Sequence, residues 1–296
     1  MACQGTTCSA GQPKPIINAK TYMKTVVGSL GLSTSSSLVQ ATLVTFDSGV
    51  YRPLAWTNNA TAMNTAIDGL CNGNQNTCSG YTNIAGGLQD AFTLLSGIPS
   101  SFGGAKVVIL LTDGQGNRPI PSTSNTVGSN PVAYQAAMNI KGSGATLISL
   151  GFNGAILTAL NGYASVDPNC VGVASGRRHV YAGATIDDLE SFLQQIAKAI
   201  CGDNVECASP PLDQPACNTE RSAWDDVNTQ CGTECRAQIN QFSSGIQYRT
   251  CTNFCAGVGR KCVSGSSSCT SGTTTTCNTI RSDSSYTCRC GDPLYF

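Results

Sequence analysis

The sequence is poor in the side chains on which most enzymes rely. It holds a single histidine, His179, among 296 residues, and only 11% of its residues are charged. It contains no Gly-x-Ser-x-Gly segment, no phosphate-binding loop and no dinucleotide fingerprint. His179 follows two arginines, and we expect it to be a surface or edge residue rather than a general base. The sequence therefore argues against an enzyme.

The chain also lacks net charge and long apolar runs. Its 17 lysines and arginines balance 17 aspartates and glutamates, so no net field favours nucleic acid. No apolar run approaches the ~20 residues that span a bilayer. The first residues, from Met1 to Cys8, show neither the basic nor the apolar part of an export signal. We expect no nucleic acid partner and no membrane span in this chain.

Cysteine is abundant and unevenly spread. Of the 17 cysteines, 11 lie in residues 202–296, a density typical of a disulfide scaffold made in an oxidising compartment. Zinc clusters are the alternative, but this tail has no histidine and no Cys-x2-Cys pair. The sequence therefore predicts disulfides and an extracellular location, secreted or at the cell surface.

Two further expectations follow from the cysteines. A disulfide-rich chain without a visible export signal suggests a start upstream of Met1. The odd count leaves one cysteine free or paired outside the chain. Cys71 and Cys78 end a polar loop, and we expect them to pair with each other.

Helix and strand patterns alternate through residues 14–201. At the centre, five apolar residues from Val107 to Leu111 run without alternation into a Thr-Asp-Gly turn, as in a strand buried on both faces of a parallel sheet. Helices are predicted at 14–30, 61–70, 84–95, 131–141, 155–160 and 185–200, and strands at 39–46, 50–56, 107–111, 145–150 and 178–181. This order predicts an open, mostly parallel, Rossmann-like α/β sheet with helices on both faces and an antiparallel hairpin at one edge.

Short motifs along this region resemble those of a known family. They are Thr45-Phe46-Asp47 at the end of a hairpin, Gly80-x-Thr82-Asn83-Ile84 before a helix, Leu111-Thr112-Asp113-Gly114, Tyr163-Ala164-Ser165-x-Asp167-Pro168, and Tyr181-x3-Thr185-x2-Asp188-Leu189. In this order and spacing, residues 12–201 resemble a von Willebrand factor type A domain.

That resemblance implies a divalent cation, typically Mg²⁺, at one edge of the sheet. In the family, an Asp-x-Ser-x-Ser segment, a threonine and an aspartate supply the side chains. By resemblance, Thr82 and Asp113 match the threonine and the aspartate. Their neighbours Asn83, Gly114 and Gln115 are then expected to contact the protein partner. Oxygen ligands in an octahedron are what Mg²⁺ prefers, with a position left for a partner's carboxylate.

The chain departs from the family at the first element. Residues 1–46 contain no aspartate or glutamate, and no apolar strand precedes the first helix. In the family that strand is central, and without it the neighbouring strands would leave backbone groups unpaired. Three explanations stay open: a fragment or incomplete gene model, a divergent member that lost the metal, and a misread fold. Mg²⁺ is thus a candidate cofactor whose site is incomplete in this chain.

The tail is predicted to be a small disulfide-rich C-terminal domain. We place the first domain at 1–201, a proline-marked linker at 202–220 and the cysteine-rich module at 221–296. Cys-x3-Cys at 231–235 and 251–255 has the spacing at which two turns of a short helix each anchor to another segment. The module resembles small cysteine-rich modules of algal and invertebrate surface proteins, with a growth-factor-like module as the alternative.

The tail has few aliphatic residues, so its core is expected to be small and its disulfides to supply stability, roughly 2–4 kcal/mol each. Reduction is then expected to unfold the tail before the first domain. One N-glycosylation sequon, Asn59-Ala60-Thr61, and a Ser/Thr-rich stretch at 264–276 are candidate sites of a glycoprotein, although such triplets are common.

Two functions fit these observations. The first is an extracellular adhesion or matrix module whose protein ligand meets Thr82, Asp113 and the loop at 115–130, with or without Mg²⁺. The second is a cross-linked structural component of a matrix, surface layer or filament that does not depend on metal.

Overall fold

The first domain contains five helices and five strands among the residues that the structure describes. The computed structural model describes residues 15–35, 38–47, 49–70, 82–112, 132–152, 155–166, 178–183, 217, 224, 227–230, 235–239, 250–267, 274–279 and 286–293. The helices are α1 (Pro15–Ser29), α2 (Ala60–Gly69), α3 (Ile84–Ser96), α4 (Val132–Gly142) and α5 (Leu157–Tyr163). The strands are β1 (Ala41–Phe46), β2 (Val50–Thr57), β3 (Val107–Thr112), β4 (Thr146–Gly151) and β5 (Val180–Ala182). Each lies within a few residues of a predicted element.

Local chemistry accounts for several of these boundaries. Gly31, at φ 66°, follows the end of α1 in the left-handed region that glycine adopts without strain. The side chain of Asn59 accepts hydrogen bonds from the backbone of Thr61 and Ala62 and so caps α2. The predicted glycosylation sequon therefore lies in a helix cap.

A parallel sheet forms the centre of the domain. Strand β3 pairs in parallel with β4, from Val107 opposite Thr146 to Thr112 opposite Gly151, and β4 pairs in parallel with β5. Helices cover both faces of β4, because Ile148 and Leu150 pack with Ala19 and Tyr22 of α1 while Leu147 packs with residues of α3 and α4. The predicted α/β class and parallel order are confirmed.

The hairpin differs from its predicted place at the edge of this sheet. Strands β1 and β2 pair antiparallel with each other, as predicted, from Ala41 opposite Thr57 to Phe46 opposite Val50. Within the described part of the chain they form a two-stranded sheet of their own, with no hydrogen-bonded ladder to β3. The strand that the family places between them is not supplied by any described residue.

The C-terminal module is a second, antiparallel sheet with one helix. Its strands are β6 (Val227–Gln230), β7 (Arg236–Ile239), β8 (Arg260–Ser266), β9 (Thr274–Thr275) and β10 (Tyr286–Pro293), in the order β6-β7-β10-β8-β9. Helix α6 (Cys251–Gly257) begins after Thr250, whose side chain caps it by accepting from Asn253. Among described cysteines, disulfides join Cys217 to Cys235, Cys251 to Cys288, Cys255 to Cys290 and Cys262 to Cys277.

The two Cys-x3-Cys segments behave differently. Cys251 and Cys255 lie one helical turn apart in α6 and both anchor to β10, as the spacing predicted. Cys235 instead has φ 58° and directly precedes β7, so the prediction of a helix there is wrong at this residue. A left-handed residue cannot continue a right-handed helix.

The module also shares a core with the first domain. Trp224, Phe254 and Tyr286 are buried in the same apolar cluster as Ile84 and Tyr134 of the first domain. The prediction of a small core in the tail did not include this shared core. The few large side chains of the tail pack against apolar residues of the first domain. Among the described residues, no helix is long and apolar enough to cross a membrane.

Several predictions lie outside the described residues. They concern the Cys71–Cys78 pair, the loop at 115–130, the helix at 185–200 and the domain boundaries between 201 and 220.

Candidate functional site

The end of β1 and the start of α3 meet at one edge of the first domain. The backbone N–H of Asn83 donates to the carbonyl of Asp47 over 2.9 Å. Helix α3 packs against the parallel sheet through Leu88, which shares a cluster with Leu110 of β3. A helix that leads into a neighbouring strand runs back along it, so its first turn lies near the carboxyl end of β3. In open α/β folds this edge holds the ligand site.

Of the two predicted metal ligands, the structure describes only Thr82. Thr82 is half-buried and directly precedes Asn83, the cap of α3. Asp113 follows Thr112, a buried residue that ends β3. Asp113, Gly114 and Gln115 themselves lie outside the described residues. The fold thus brings Thr82 and the end of β3 to the same edge of the domain.

Asn83, a predicted partner-binding residue, has a structural role. It is buried, with 7% of its surface exposed, and its side-chain oxygen accepts from the backbone N–H of Gly86 over 2.8 Å. Gly86 and Gly87 let the helix approach the hairpin closely, since a β-carbon there would overlap Val50 and Phe46 respectively. Asn83 therefore fixes the start of α3 against the hairpin.

Asp47 is a site residue that the sequence reading did not single out. Its side chain is buried, with 6% of its surface exposed. One carboxylate oxygen accepts from Gly49 over 2.7 Å, and the other has no hydrogen-bond partner among the described residues. The hydroxyl of Thr45, two residues earlier on β1, is also buried without a partner. A buried polar atom left unpaired is costly, which marks this edge as a place where a ligand would be stabilising. The sequence signals were an aspartate directly after a strand and its place in the Thr45-Phe46-Asp47 motif.

The described residues do not by themselves form a magnesium site. Among them, no group of three or more His, Cys, Asp or Glu side chains is placed to hold a metal ion. Thr82 and the unpaired oxygen of Asp47 would offer two oxygen ligands at most, whereas Mg²⁺ prefers six oxygens in an octahedron, several of them water.

A second polar cluster lies at the carboxyl end of α5. The ammonium of Lys141 lies 3.5 Å from the carbonyl oxygen of Gly162, and the guanidinium of Arg178 donates to the carbonyl of Ala164 over 3.0 Å. Cations suit a helix carboxyl end, where carbonyls are otherwise unpaired. Burial, and to a lesser extent the charge of Arg178, lowers the pKa of Lys141 to about 8. This cluster caps α5.

His179 belongs to the same region and corrects an expectation. It was expected at the surface or an edge. It directly precedes β5, an edge strand among the described residues, but only 5% of it is exposed, so the surface alternative is wrong. Its carbonyl accepts from Ser149 over 2.8 Å and its N–H donates to Ser165 over 3.0 Å, so its backbone is tied between β4 and the segment after α5. The pairing of the following strand with β4 draws it inside.

Part of the chain matches a known protein family, and several solved structures are similar to it. Residues 5–115 match the family model of the von Willebrand factor type A domain. Proximal thread matrix protein 1 from the mussel byssus is similar in structure, at 21% identity and a TM-score of 0.47 over 65% of this chain. A structure of that protein with a zinc-occupied MIDAS motif is 20% identical, covers 63% of this chain and has a TM-score of 0.46. No curated protein sequence matches the chain.

A bacterial protein has the same fold. A point mutant of the PilB minor pilin from Streptococcus sanguinis is 15% identical, with a TM-score of 0.50 over 68% of this chain. The matches span 42% and 43% of the byssal protein's chain in the two structures named above and 57% of the pilin's, so this chain corresponds to part of each. The family match covers residues 5–115, within the first domain, and a C-terminal module held by disulfides follows that domain.

Proposed function

We propose that the chain is an extracellular protein-binding module whose partner meets the edge formed by Asp47, Thr82 and the end of β3. The observation that carries the proposal is the unpaired, buried carboxylate oxygen of Asp47 beside the capped start of α3. A ligand that supplied a donor or a cation there would satisfy this oxygen, and open α/β sheets bind their ligands at this edge.

The extracellular part of the proposal rests on the disulfides. Four bridges join described cysteines of the tail, and Cys255 and Cys290 are almost completely buried. Bridges of this kind form and persist in oxidising compartments. The PilB minor pilin shares the fold with this chain, and the proposal places the chain in the same kind of extracellular surroundings.

Binding rather than catalysis is also a proposal. The only histidine of the sequence is His179, and its buried position near the end of α5 lies away from the edge at Asp47 and Thr82. General bases must reach the proton that they remove, directly or through one water. A partner surface fits the available side chains better than a reaction does.

A divalent cation is a secondary element of the proposal. By resemblance Thr82 and Asp113 match the family's threonine and aspartate, and the buried carboxylate of Asp47 lies at the same edge as Thr82. If a cation binds, it would supply a positive charge that a carboxylate of the partner could contact. Binding of Mg²⁺ to the full chain, measured by calorimetry, should then be lost in Asp113→Ala and kept in Ser101→Ala.

The partner experiment compares the two ends of the sheet. The full chain would be applied to extracellular material from its own source, and bound protein would be quantified for Thr82→Ala and Asp113→Ala. Lys106→Ala and Ser101→Ala, which lie before β3 at the other end of the sheet, are the matched controls. We expect a loss of roughly tenfold or more for the first pair and none for the second. Equal binding by all four variants would refute the proposed surface.

A structural, metal-independent role is the second candidate, because the disulfide module packs into the core of the first domain. A rigid two-part unit suits a cross-linked matrix. Chelator treatment tests the cation: loss of binding supports a cation-dependent ligand site, and unchanged binding shows that the partner is held without metal. The structural role is supported instead when binding is unchanged in Thr82→Ala and Asp113→Ala.

A further inference from the structure

Two arginines face each other across neighbouring strands of the C-terminal module. Arg289 of β10 lies directly opposite Arg236 of β7 in the antiparallel ladder. Residues in such a pair point to the same face of the sheet, with β-carbons about 4.5–5.5 Å apart, and like charges there destabilise the sheet. An anion held between the two guanidinium groups would offset this repulsion. The pair is therefore a candidate site for a negatively charged ligand.

The pair lies on the face of the sheet that points away from the first domain. Side chains along a strand alternate between the two faces of a sheet. Ala237 and Cys288, the neighbours of the two arginines, are buried in the cluster that contains Ile84 of the first domain. Arg236 and Arg289 consequently project from the opposite face, where both are only half-buried. A ligand in solvent can reach them there.

Two rows of polar side chains cross β7, β10 and β8 on this face. They are Arg236, Arg289 and Ser264 in the first row, and Gln238, Thr287 and Ser266 in the second. We call these six residues the arginine face. Thr287 is almost completely buried, and the other five residues are half-buried. Each of the six side chains carries a hydrogen-bond donor and none is acidic, so the face suits a ligand rich in acceptor oxygens.

The described part of the module has an excess of positive charge. Its charged residues are Arg236, Arg260, Lys261, Arg289 and Asp292. Arg260 is buried and donates to the carbonyl of Gly291 over 3.2 Å, so it does not contribute to the accessible charge. The remaining three cations lie on β7, β8 and β10, against one carboxylate. A surface of one sign attracts polymers of the opposite sign.

We propose that the arginine face binds an anionic polysaccharide that carries sulfate or carboxylate groups. Arg236 and Arg289 would hold one such group, because the planar fork of arginine donates two parallel hydrogen bonds to an oxyanion. The amide of Gln238 and the hydroxyls of Ser264 and Ser266 would bind oxygens of the neighbouring sugars. The face has no aromatic side chain on which a nucleic acid base could stack. A peptide that pairs with a sheet adds to its edge strand rather than lying across its face.

This inference goes beyond the proposed function, because it assigns a second ligand to a second surface. The arginine face belongs to the module, on the side of its sheet away from the first domain, whereas the proposed protein partner meets the edge at Asp47 and Thr82. Thr82→Ala should therefore bind the polysaccharide as the wild type does. Failure of either proposal leaves the other in place.

The first experiment measures binding of the full chain to immobilised heparin, which carries both sulfates and carboxylates. We expect Arg236→Gln and Arg289→Gln each to weaken binding at least about tenfold, the cost of losing hydrogen bonds between charged groups. Lys261→Gln is the matched control, because it removes an exposed positive charge of β8 that is not part of the arginine face. It should change the affinity by less than about threefold. An equal loss in all three variants, or no binding by the wild type, would overturn the proposal.

Arg289→Lys separates the fork of the guanidinium from its charge. It keeps the positive charge but cannot donate two parallel hydrogen bonds, so its affinity should lie between those of the wild type and Arg289→Gln. It also provides a readout if melting temperatures show that Arg289→Gln does not fold. Wild-type affinity in Arg289→Lys would overturn the proposal, because charge alone would then hold the polymer.

Competition in solution identifies the ligand chemistry. Desulfated heparin keeps the carboxylates, so competition equal to that of heparin would assign the site to carboxylates, and much weaker competition would assign it to sulfates. Either result supports a polysaccharide site. Polyglutamate of matched charge should compete at least about tenfold less well than heparin, because it lacks sugar hydroxyls and its backbone is not placed to pair with the face. Equal competition by polyglutamate would overturn the proposal in favour of an acidic protein partner.

Discussion

Gly259 of the disulfide module lies directly against the backbone of Ala159 in helix α5 of the first domain. Its φ is 75°, and a β-carbon at this position would overlap backbone atoms of Thr158 and Ala159. Ala159 and Val258, its neighbours across this contact, belong to one apolar cluster. The contact joins the two parts of the chain at a position where no other residue type fits.

Gly259→Ala should therefore destabilise the whole protein. The left-handed backbone costs roughly 1–2 kcal/mol for alanine, and the overlap with α5 adds about 1–3 kcal/mol. Gly144→Ala is the matched control, because Gly144 has φ 78° and nothing within 4 Å of the added carbon. Chemical denaturation of both variants measures the difference. Equal losses would show that the module does not rest on α5.

Removal of one buried disulfide should lower the stability of both parts. Cys255→Ala with Cys290→Ala takes out a bridge whose sulfurs lie in the shared cluster, at an expected cost of about 2–4 kcal/mol. The chain has two tryptophans, Trp56 in β2 and Trp224 in the module, so single-tryptophan variants report on each part separately. Both signals should shift together.

The Cys262–Cys277 bridge is the control for that experiment. It links β8 to the segment after β9, and Cys262 is only half-buried. Its removal should loosen these strands and leave α6 anchored. If the signal of Trp56 stays unchanged when Cys255 and Cys290 are replaced, the two parts are independent and the tail unfolds first, as its sequence alone suggested.

Asn83→Ala should reduce stability by about 1–2 kcal/mol. The change removes the cap of α3 and leaves the buried N–H of Gly86 without its acceptor. Asn83→Ser keeps an oxygen that can cap the helix and should recover part of the loss. Thermal unfolding measures both. A variant that keeps full stability but loses partner binding would instead assign Asn83 to the binding surface.

The regular elements of the first domain could be predicted because their signals are local. The uninterrupted apolar run from Val107 to Leu111 identified a strand covered on both faces, and the Cys-x3-Cys spacing at Cys251 identified a helix with two anchors. The burial of His179 could not be predicted, because it depends on pairing between β5 and β4, thirty residues away. The contact of Gly259 with α5 could not be predicted for the same reason, because it also depends on packing between distant parts of the chain.

The candidate site was predicted only in part for the same reason. Thr82 and Asp113 were identified by resemblance, and the fold brings Thr82 to the edge where β3 ends. Asp47 was identified only as the end of a hairpin motif, because its burial and its contact with Asn83 arise from the packing of α3 on the hairpin. Sequence periodicity does not report which polar atoms a fold leaves unpaired.

Lys141 should make stability rise with pH. Burial, with a contribution from Arg178, lowers its pKa in the folded chain to about 8, below the roughly 10.4 of an unfolded lysine. Between these values the unfolded chain binds more protons than the folded one, so stability increases as pH rises from about 8 to about 10.4. Below pH 8 Lys141 is charged in the folded chain, so the full free-energy cost of burying its charge is present.

Lys141→Met should accordingly stabilise the protein at pH 7 and flatten this rise. Because Lys141 is partly exposed and solvent screens its charge, we expect a gain on the order of 1 kcal/mol, less than the full pKa shift implies. Lys261→Met, at an exposed lysine of β8, is the control and should have the same pH profile of stability as the wild type. Any effect of thiol exchange at high pH should be the same in both proteins. Denaturation midpoints at pH 7, 8, 9 and 10 measure both variants. A wild-type profile that falls over this range, or a Lys141→Met profile parallel to the wild type, would contradict the assignment.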